Sequence, residues 1–132
     1  MAVKTLKPAV RIWGVETEGA DCMSKSLAAG EIVTLDAITS IARTLGAPAP
    51  SETTFALAKE LFESVTVVSD RQAMDALGFI LERLKVMTEP AAACTLAAAE
   101  KLHMKFTPEQ HVVLIFCGGN MSVEDLVRFQ SI

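Results

Sequence analysis

The chain has 132 residues, enough for one domain, with 51% hydrophobic and 21% charged residues and a mean hydropathy of +0.37. That balance is too apolar for a disordered segment and fits a chain built around buried strands. The net charge of −4, with basic residues scattered as Lys4, Lys7, Arg11, Lys25 and Arg43, excludes the clustered positive stripe that nucleic-acid binding needs.

Residues 10–17 (VRIWGVET) are nearly continuous in β-branched and apolar side chains, as in a strand covered on both faces. Residues 20–29 then read as a short helix closed by Gly30, a residue suited to the left-handed position after a helix end. Glu16, Glu18 and Asp21 form an acidic loop in between, able to offer oxygen ligands to a hard cation or simply to face solvent. Between residues 34 and 50 the periodicity weakens, and Gly46, Pro48 and Pro50 mark a long irregular segment of the kind that often carries function.

Ser51 can cap a helix whose apolar positions are Phe55, Ala58, Leu61 and Phe62, and residues 65–68 make a short buried strand. Ser69 and Gln72 have capping-box spacing, and behind them Met74, Leu77, Leu81 and Leu84 line one helix face. Pro90 fits the first turn of an alanine-rich helix over residues 91–104, ended by Thr107 and Pro108. Residues 111–117 (HVVLIFC) read as a second fully buried strand, Gly118, Gly119 and Asn120 as its turn, and Ser122 with Asp125 as the cap of a last helix carrying Leu126 and Phe129. Apolar strands alternating with helices predict an α/β fold: a mostly parallel sheet with helices on both faces.

The most apolar runs, residues 90–99 and 112–117, fall short of the ~18 residues of a membrane span. The N-terminus lacks the progression of a secretory signal. Cys22, Cys94 and Cys117 are odd in number and contain no Cys-x-x-Cys pair, which argues against a disulfide framework or zinc ribbon and for a reducing cytoplasm. His103 and His111 have no ligand spacing and no adjacent nucleophile, so neither is assigned a role.

In open parallel sheets ligands bind beyond the carboxyl ends of strands. Two turns stand out on that rule. Cys117-Gly118-Gly119-Asn120 ends an apolar strand in glycines that let backbone approach a ligand closely, and Thr88-Glu89-Pro90 places a carboxylate where a helix begins. Taken alone, neither motif is specific: the first reads more readily as an ordinary turn beside a core cysteine and the second as an ordinary helix cap.

Together, however, VETEGADC (15–22), AAGEIVTLDAITSIARTLGA (28–47), VSD (68–70), TEPAAA (88–93) and CGGN (117–120) resemble, in order and spacing, the fold type II pyridoxal-phosphate enzymes. The likeness is nearest to the L-serine dehydratase/L-threonine deaminase branch and covers the chain from about residue 1 to residue 130. The resemblance implies the tryptophan-synthase-β-like large domain, with residues 1–132 as an incomplete C-terminal portion of it. It implies that Cys117 faces the pyridine nitrogen of pyridoxal 5'-phosphate, that Gly118, Gly119 and Asn120 pass by the ring and that Glu89 lies close to it. It implies a monovalent cation, potassium, held at positions matching Glu16, Ala20, Leu45 and Ala47. Cys22 takes the hydroxyl position of that site, and a thiol is a soft ligand for a hard cation.

The family's Ser-x-Lys-x-Arg run, its Ser-x-Gly-Asn loop and its glycine-rich phosphate loop do not occur among these residues, and Lys4, Lys7, Lys25, Lys59, Lys85, Lys101 and Lys105 all stand in other contexts. The expected activity is therefore that of a longer dehydratase releasing pyruvate or 2-oxobutanoate and ammonia, with this chain inactive alone. Cys117 favours that reading over serine racemase or threonine synthase. The alternative is a stand-alone, non-catalytic binding or assembly module. Both lead to the expectation of self-association or of pairing with the complementary N-terminal part.

Overall fold

The computed structural model describes residues 2–129. A five-residue helix α1 (Ala2–Leu6) leads into β1 (Ile12–Thr17), α2 (Cys22–Ala29), α3 (Glu52–Leu61), β2 (Phe62–Val68), α4 (Asp70–Phe79), α5 (Pro90–Leu102) and α6 (Val123–Phe129). β1 and β2 pair in parallel, with Val15 beside Thr66 and Thr17 beside Val68. Helix α5 packs on both strands and on α4, whereas α2 packs on α3 and β2. This is the expected α/β arrangement of a parallel pair covered by helices.

The core is small-residue packing. Ala73, Met74, Ala76, Leu77 and Ile80 meet Val68, Ala93, Cys94, Ala97 and Ala98. Alanine keeps the α4–α5 approach close while removing little rotamer freedom, so a helix rich in it loses little on ordering.

Local chemistry explains the boundaries. The Ser69 hydroxyl accepts from the Gln72 amide at 3.2 Å and the Gln72 side chain accepts from the Ser69 amide at 2.9 Å, which is the capping box expected of α4. Ser51 caps α3 and accepts from the Thr54 amide at 3.1 Å. Gly30 ends α2 at φ +79°. Ser122 and Asp125 exchange bonds at the start of α6, with the Asp125 amide 3.0 Å from the Ser122 hydroxyl.

Several expectations are corrected, and the first strand begins at Ile12 rather than at residue 10. Residues 111–117 are extended but join no ladder: Val112, Val113, Ile115 and Cys117 are exposed, and only Leu114 and Phe116 turn partly inward. Apolar sequence makes a strand only where a neighbour supplies hydrogen bonds, and no strand among the described residues lies beside this one. Phe62 belongs to β2 rather than to the preceding helix, so that strand is longer than residues 65–68. A π-helical turn, Ile80–Leu84, follows α4 and changes its register, so Ile80 is buried in place of Leu84, which is exposed. Finally, α2 starts at Cys22, and α5 gives way to a 3-10 turn at His103–Lys105. No helix among the described residues is long and apolar enough to cross a membrane.

Candidate functional site

The two turns singled out by sequence meet in space through Glu89. That residue is the N-cap of α5, yet its carboxylate makes no capping bond, although the Ala92 and Ala93 amides both reach its carbonyl. The carboxylate reaches across to two other segments instead. Its Oε2 accepts from the Asn120 amide at 2.6 Å and its Oε1 from the Thr44 hydroxyl at 2.6 Å. Only 6% exposed, it is a buried charge with both oxygens satisfied, as a desolvated carboxylate must be. The neighbouring Thr88 hydroxyl donates to the Gly118 carbonyl at 2.9 Å, so residues 88 and 89 grip the turn from both sides.

The backbone of that turn depends on glycine. Gly118 has φ +84°, and a Cβ there would stand 2.7 Å from Glu89 Oε1. Gly119 has open space, its nearest neighbour being the Met87 carbonyl at 4.0 Å. Cys117, Gly118, Gly119 and Asn120 are all exposed, forming an open rim at the tip of the extended segment rather than a cysteine packed among helices. Cys94, in α5, is buried, donates to the Ala91 carbonyl at 3.0 Å, and has its thiol pushed up to about 11, first by burial and then by nearby Cys117.

Glu16, at the end of β1, binds the start of α2: its carboxylate accepts from the Met23 amide at 2.9 Å and the Ser24 amide at 2.7 Å. Burial raises the pKa of that carboxyl group, and the two amide bonds oppose the shift. Cys22 is buried beside it, with Sγ 4.0 Å from Glu16 Oε1. Ala20 is fully buried, and its loop touches the 39–40 segment through Gly19, whose carbonyl accepts from the Thr39 amide at 3.1 Å. Leu45 and Ala47 lie in the following turns, where the Leu45 carbonyl already accepts from the Ala47 amide at 2.8 Å. Among the described residues no group of three or more His, Cys, Asp or Glu gathers around a common point.

Sequence reasoning missed the residues that tie these pieces together. Asp70 accepts from the Ser40 hydroxyl at 2.6 Å and the Ile41 amide at 3.0 Å. Ser40 has a single proton, which goes to Asp70, so the Thr17 hydroxyl, 2.7 Å away, donates to Ser40. The usable signal was the cluster of hydroxyl residues inside an irregular segment, Thr39, Ser40 and Thr44, together with the acid opening α4. A cleft of about 700 Å³ opens beside this segment, lined by Ile38, Thr39, Ser40, Ile41, Arg43 and Phe129 among others. None of Glu89, Cys117, Gly118, Gly119 or Asn120 lines it.

The residues present fit one side of a flat, aromatic cofactor. An exposed thiol, two positions without side chains and a carboxylate-clamped turn make a rim that a planar ring can approach closely.

Comparison with known proteins shows the family. The rice serine racemase (Oryza sativa subsp. indica) is 35% identical over 127 residues, covering 93% of this chain and 37% of the relative. The L-threonine ammonia-lyase of Thermotoga maritima is 31% identical over 129 residues, covering 97% of this chain and 31% of the relative. The crystal structure of the T.th. threonine deaminase superimposes with a TM-score of 0.84 at 32% identity, covering 92% of this chain and 44% of that one. The chain thus spans less than half the length of the relatives it matches. The model of the family described as pyridoxal-phosphate dependent enzymes matches residues 1–118, and the chain belongs to that family.

Proposed function

We propose that this chain is the C-terminal portion of the large domain of a pyridoxal-phosphate-dependent L-serine/L-threonine dehydratase, a cytoplasmic ammonia-lyase. The observation that carries the reading is the Glu89 clamp, which fixes a glycine turn next to an exposed cysteine at the open tip of an extended segment. When bound, pyridoxal phosphate supplies the electron sink that makes the amino acid's α-proton and β-hydroxyl removable. In this reading Cys117 faces the pyridine nitrogen, and a thiol, a weak donor, leaves that nitrogen uncharged. Gly118 and Gly119 leave room for the ring, while Glu89 holds their turn still and keeps its own charge occupied by Thr44 and Asn120. The positions that the resemblance gives to a potassium ion are Glu16, Ala20, Leu45 and Ala47. Glu16 accepts from the Met23 and Ser24 amides at the start of α2, and a carboxylate is the hard oxygen donor that such a cation takes.

No Ser-x-Lys-x-Arg run is present, so we place the base that takes the α-proton on a complementary N-terminal part of the same fold. Residues 111–117, extended, apolar and without ladder bonds, are the natural seam for that part. A second reading, racemisation of serine, is favoured by the 35% identity to the rice racemase.

The test is to incubate the purified chain with pyridoxal phosphate and L-serine or L-threonine, alone and with a polypeptide carrying the lysine and the glycine-rich loop. We expect pyruvate and 2-oxobutanoate only from the mixture. D-Serine in place of pyruvate would select the racemase reading, and oxo-acid made by the chain alone would defeat the assignment of the base.

A further inference from the structure

We propose that Asp70 is a positioning residue that sets the Gly118–Asn120 turn through Thr44 and Glu89. The proposal rests on reading that turn as the rim facing the cofactor. Asp70 has no hydrogen bond to the turn or to Glu89; what connects them is a short stretch of hydrogen-bonded turns. Both Asp70 carboxylate oxygens are committed to residues 40 and 41, one to the Ser40 hydroxyl at 2.6 Å and one to the Ile41 amide at 3.0 Å. The Ser40 hydroxyl is held from behind by Thr17, at the carboxyl end of β1. The carboxylate, at the first position of α4, therefore ties residues 40 and 41 to both the sheet and the helix that follows β2.

From Ser40 onward the chain folds into consecutive tight turns. The Ala42 amide reaches the Ser40 hydroxyl at 3.0 Å, and the Leu45 amide the Ala42 carbonyl at 2.9 Å. The Gly46 amide reaches the Arg43 carbonyl at 3.0 Å. Thr44 sits inside these turns, so the direction of its hydroxyl follows from where Ser40 and Ile41 are pinned. It donates to Glu89 Oε1 at 2.6 Å, and the opposite oxygen of the same carboxylate takes the Asn120 amide at 2.6 Å. A carboxylate is planar and rigid, so a shift of one oxygen moves the other. The series Asp70, Thr44, Glu89, Asn120 is thus a mechanical connection between the first turn of α4 and the glycine rim, with charge-assisted hydrogen bonds, the strong kind, on either side of the covalent stretch from residue 41 to residue 44.

The Asn120 amide reports on this directly, because its acceptor is Glu89, and its hydrogen exchange can be read without cofactor or activity. Asp70→Asn keeps one acceptor and replaces the other with a donor, so one of the two bonds to residues 40 and 41 is lost. We expect Asn120 exchange about tenfold faster in Asp70→Asn and in Thr44→Val, the scale of one charge-assisted bond. Thr44→Ser, which keeps the hydroxyl, should restore the wild-type rate. Because Asp70 acts through Thr44, the double variant Asp70→Asn/Thr44→Val should exchange no faster than Thr44→Val alone.

Additive acceleration in the double variant, or an unchanged Asn120 rate in an Asp70→Asn protein with lowered thermal stability, would overturn the proposal. Should Asp70→Asn fail to fold, Ser40→Ala removes one of the same two bonds and serves the same comparison. Fluorescence of pyridoxal phosphate bound to these proteins in the presence of the polypeptide carrying the lysine and the glycine-rich loop tests the underlying reading separately. If the exchange results hold but the cofactor signal is identical in wild type and Thr44→Val, Asp70 positions the turn and the turn does not face the ring.

Discussion

At Gly118 the backbone needs a left-handed conformation in the same place where a methyl group would strike a buried carboxylate. Gly118→Ala should therefore lose about 2 kcal/mol in urea unfolding, from left-handed strain and a displaced Glu89. Gly78, inside α4 with nothing within 4 Å of a Cβ, is the control: Gly78→Ala should stabilise by roughly 0.5–1 kcal/mol. Equal effects of the two changes would mean that the glycine turn is not held by Glu89. Cys94 offers a pH-dependent companion. Its thiol is raised from 9.0 to about 11, so the folded state keeps its proton longer than the unfolded chain does. The stabilisation is complete below pH 9 and is lost as pH rises towards 11, a decline on the order of 2 kcal/mol that Cys94→Ala should flatten in unfolding curves at pH 8 and 10.5. At this scale the sequence singled out side chains but not their partners. Glu89 was legible as an acid at a helix start, whereas its bonds to Thr44 and Asn120 span 45 and 31 residues and follow no local pattern.

Elements were legible where their signals are local. The Ser69–Gln72 box, the Ser51 cap, Pro90 at a helix start and Gly30 at a helix end all act within one turn, and each marks a boundary in the structure. Ser69→Ala should cost about 1 kcal/mol in thermal or urea unfolding, and a neutral result would mean that the π-turn and the α5 contact already hold α4 in place. Signals that depend on neighbours mislead. Helical periodicity carries Leu84 into the core because nothing in the spacing announces the π-helical turn that buries Ile80 instead. Unbroken apolarity makes residues 111–117 a buried strand, since composition records the need for cover without saying where the cover comes from. The five-residue α1 escapes notice for the opposite reason, having no buried residue and hence no apolar stripe to read.

For the molecule as a whole, we propose that residues 111–117 govern its association in solution. None of their backbone groups bonds to another backbone group among the described residues, and Val113 and Ile115 are 82% and 68% exposed. An open edge with apolar side chains is a template for a further strand, and in a solution of this chain alone the available strand is that of a second copy. Association should therefore rise with concentration in sedimentation velocity, and Val113→Lys with Ile115→Lys should suppress it, since lysines on an edge oppose pairing. The same two changes leave the Glu89 clamp untouched, so Asn120 amide protection should persist in the monomer. A complementary polypeptide of the same fold should compete with self-association, because one edge cannot serve two strands. If the double-lysine variant associates as strongly as the wild type, the seam lies elsewhere, and the partner assigned to residues 111–117 has to be given up.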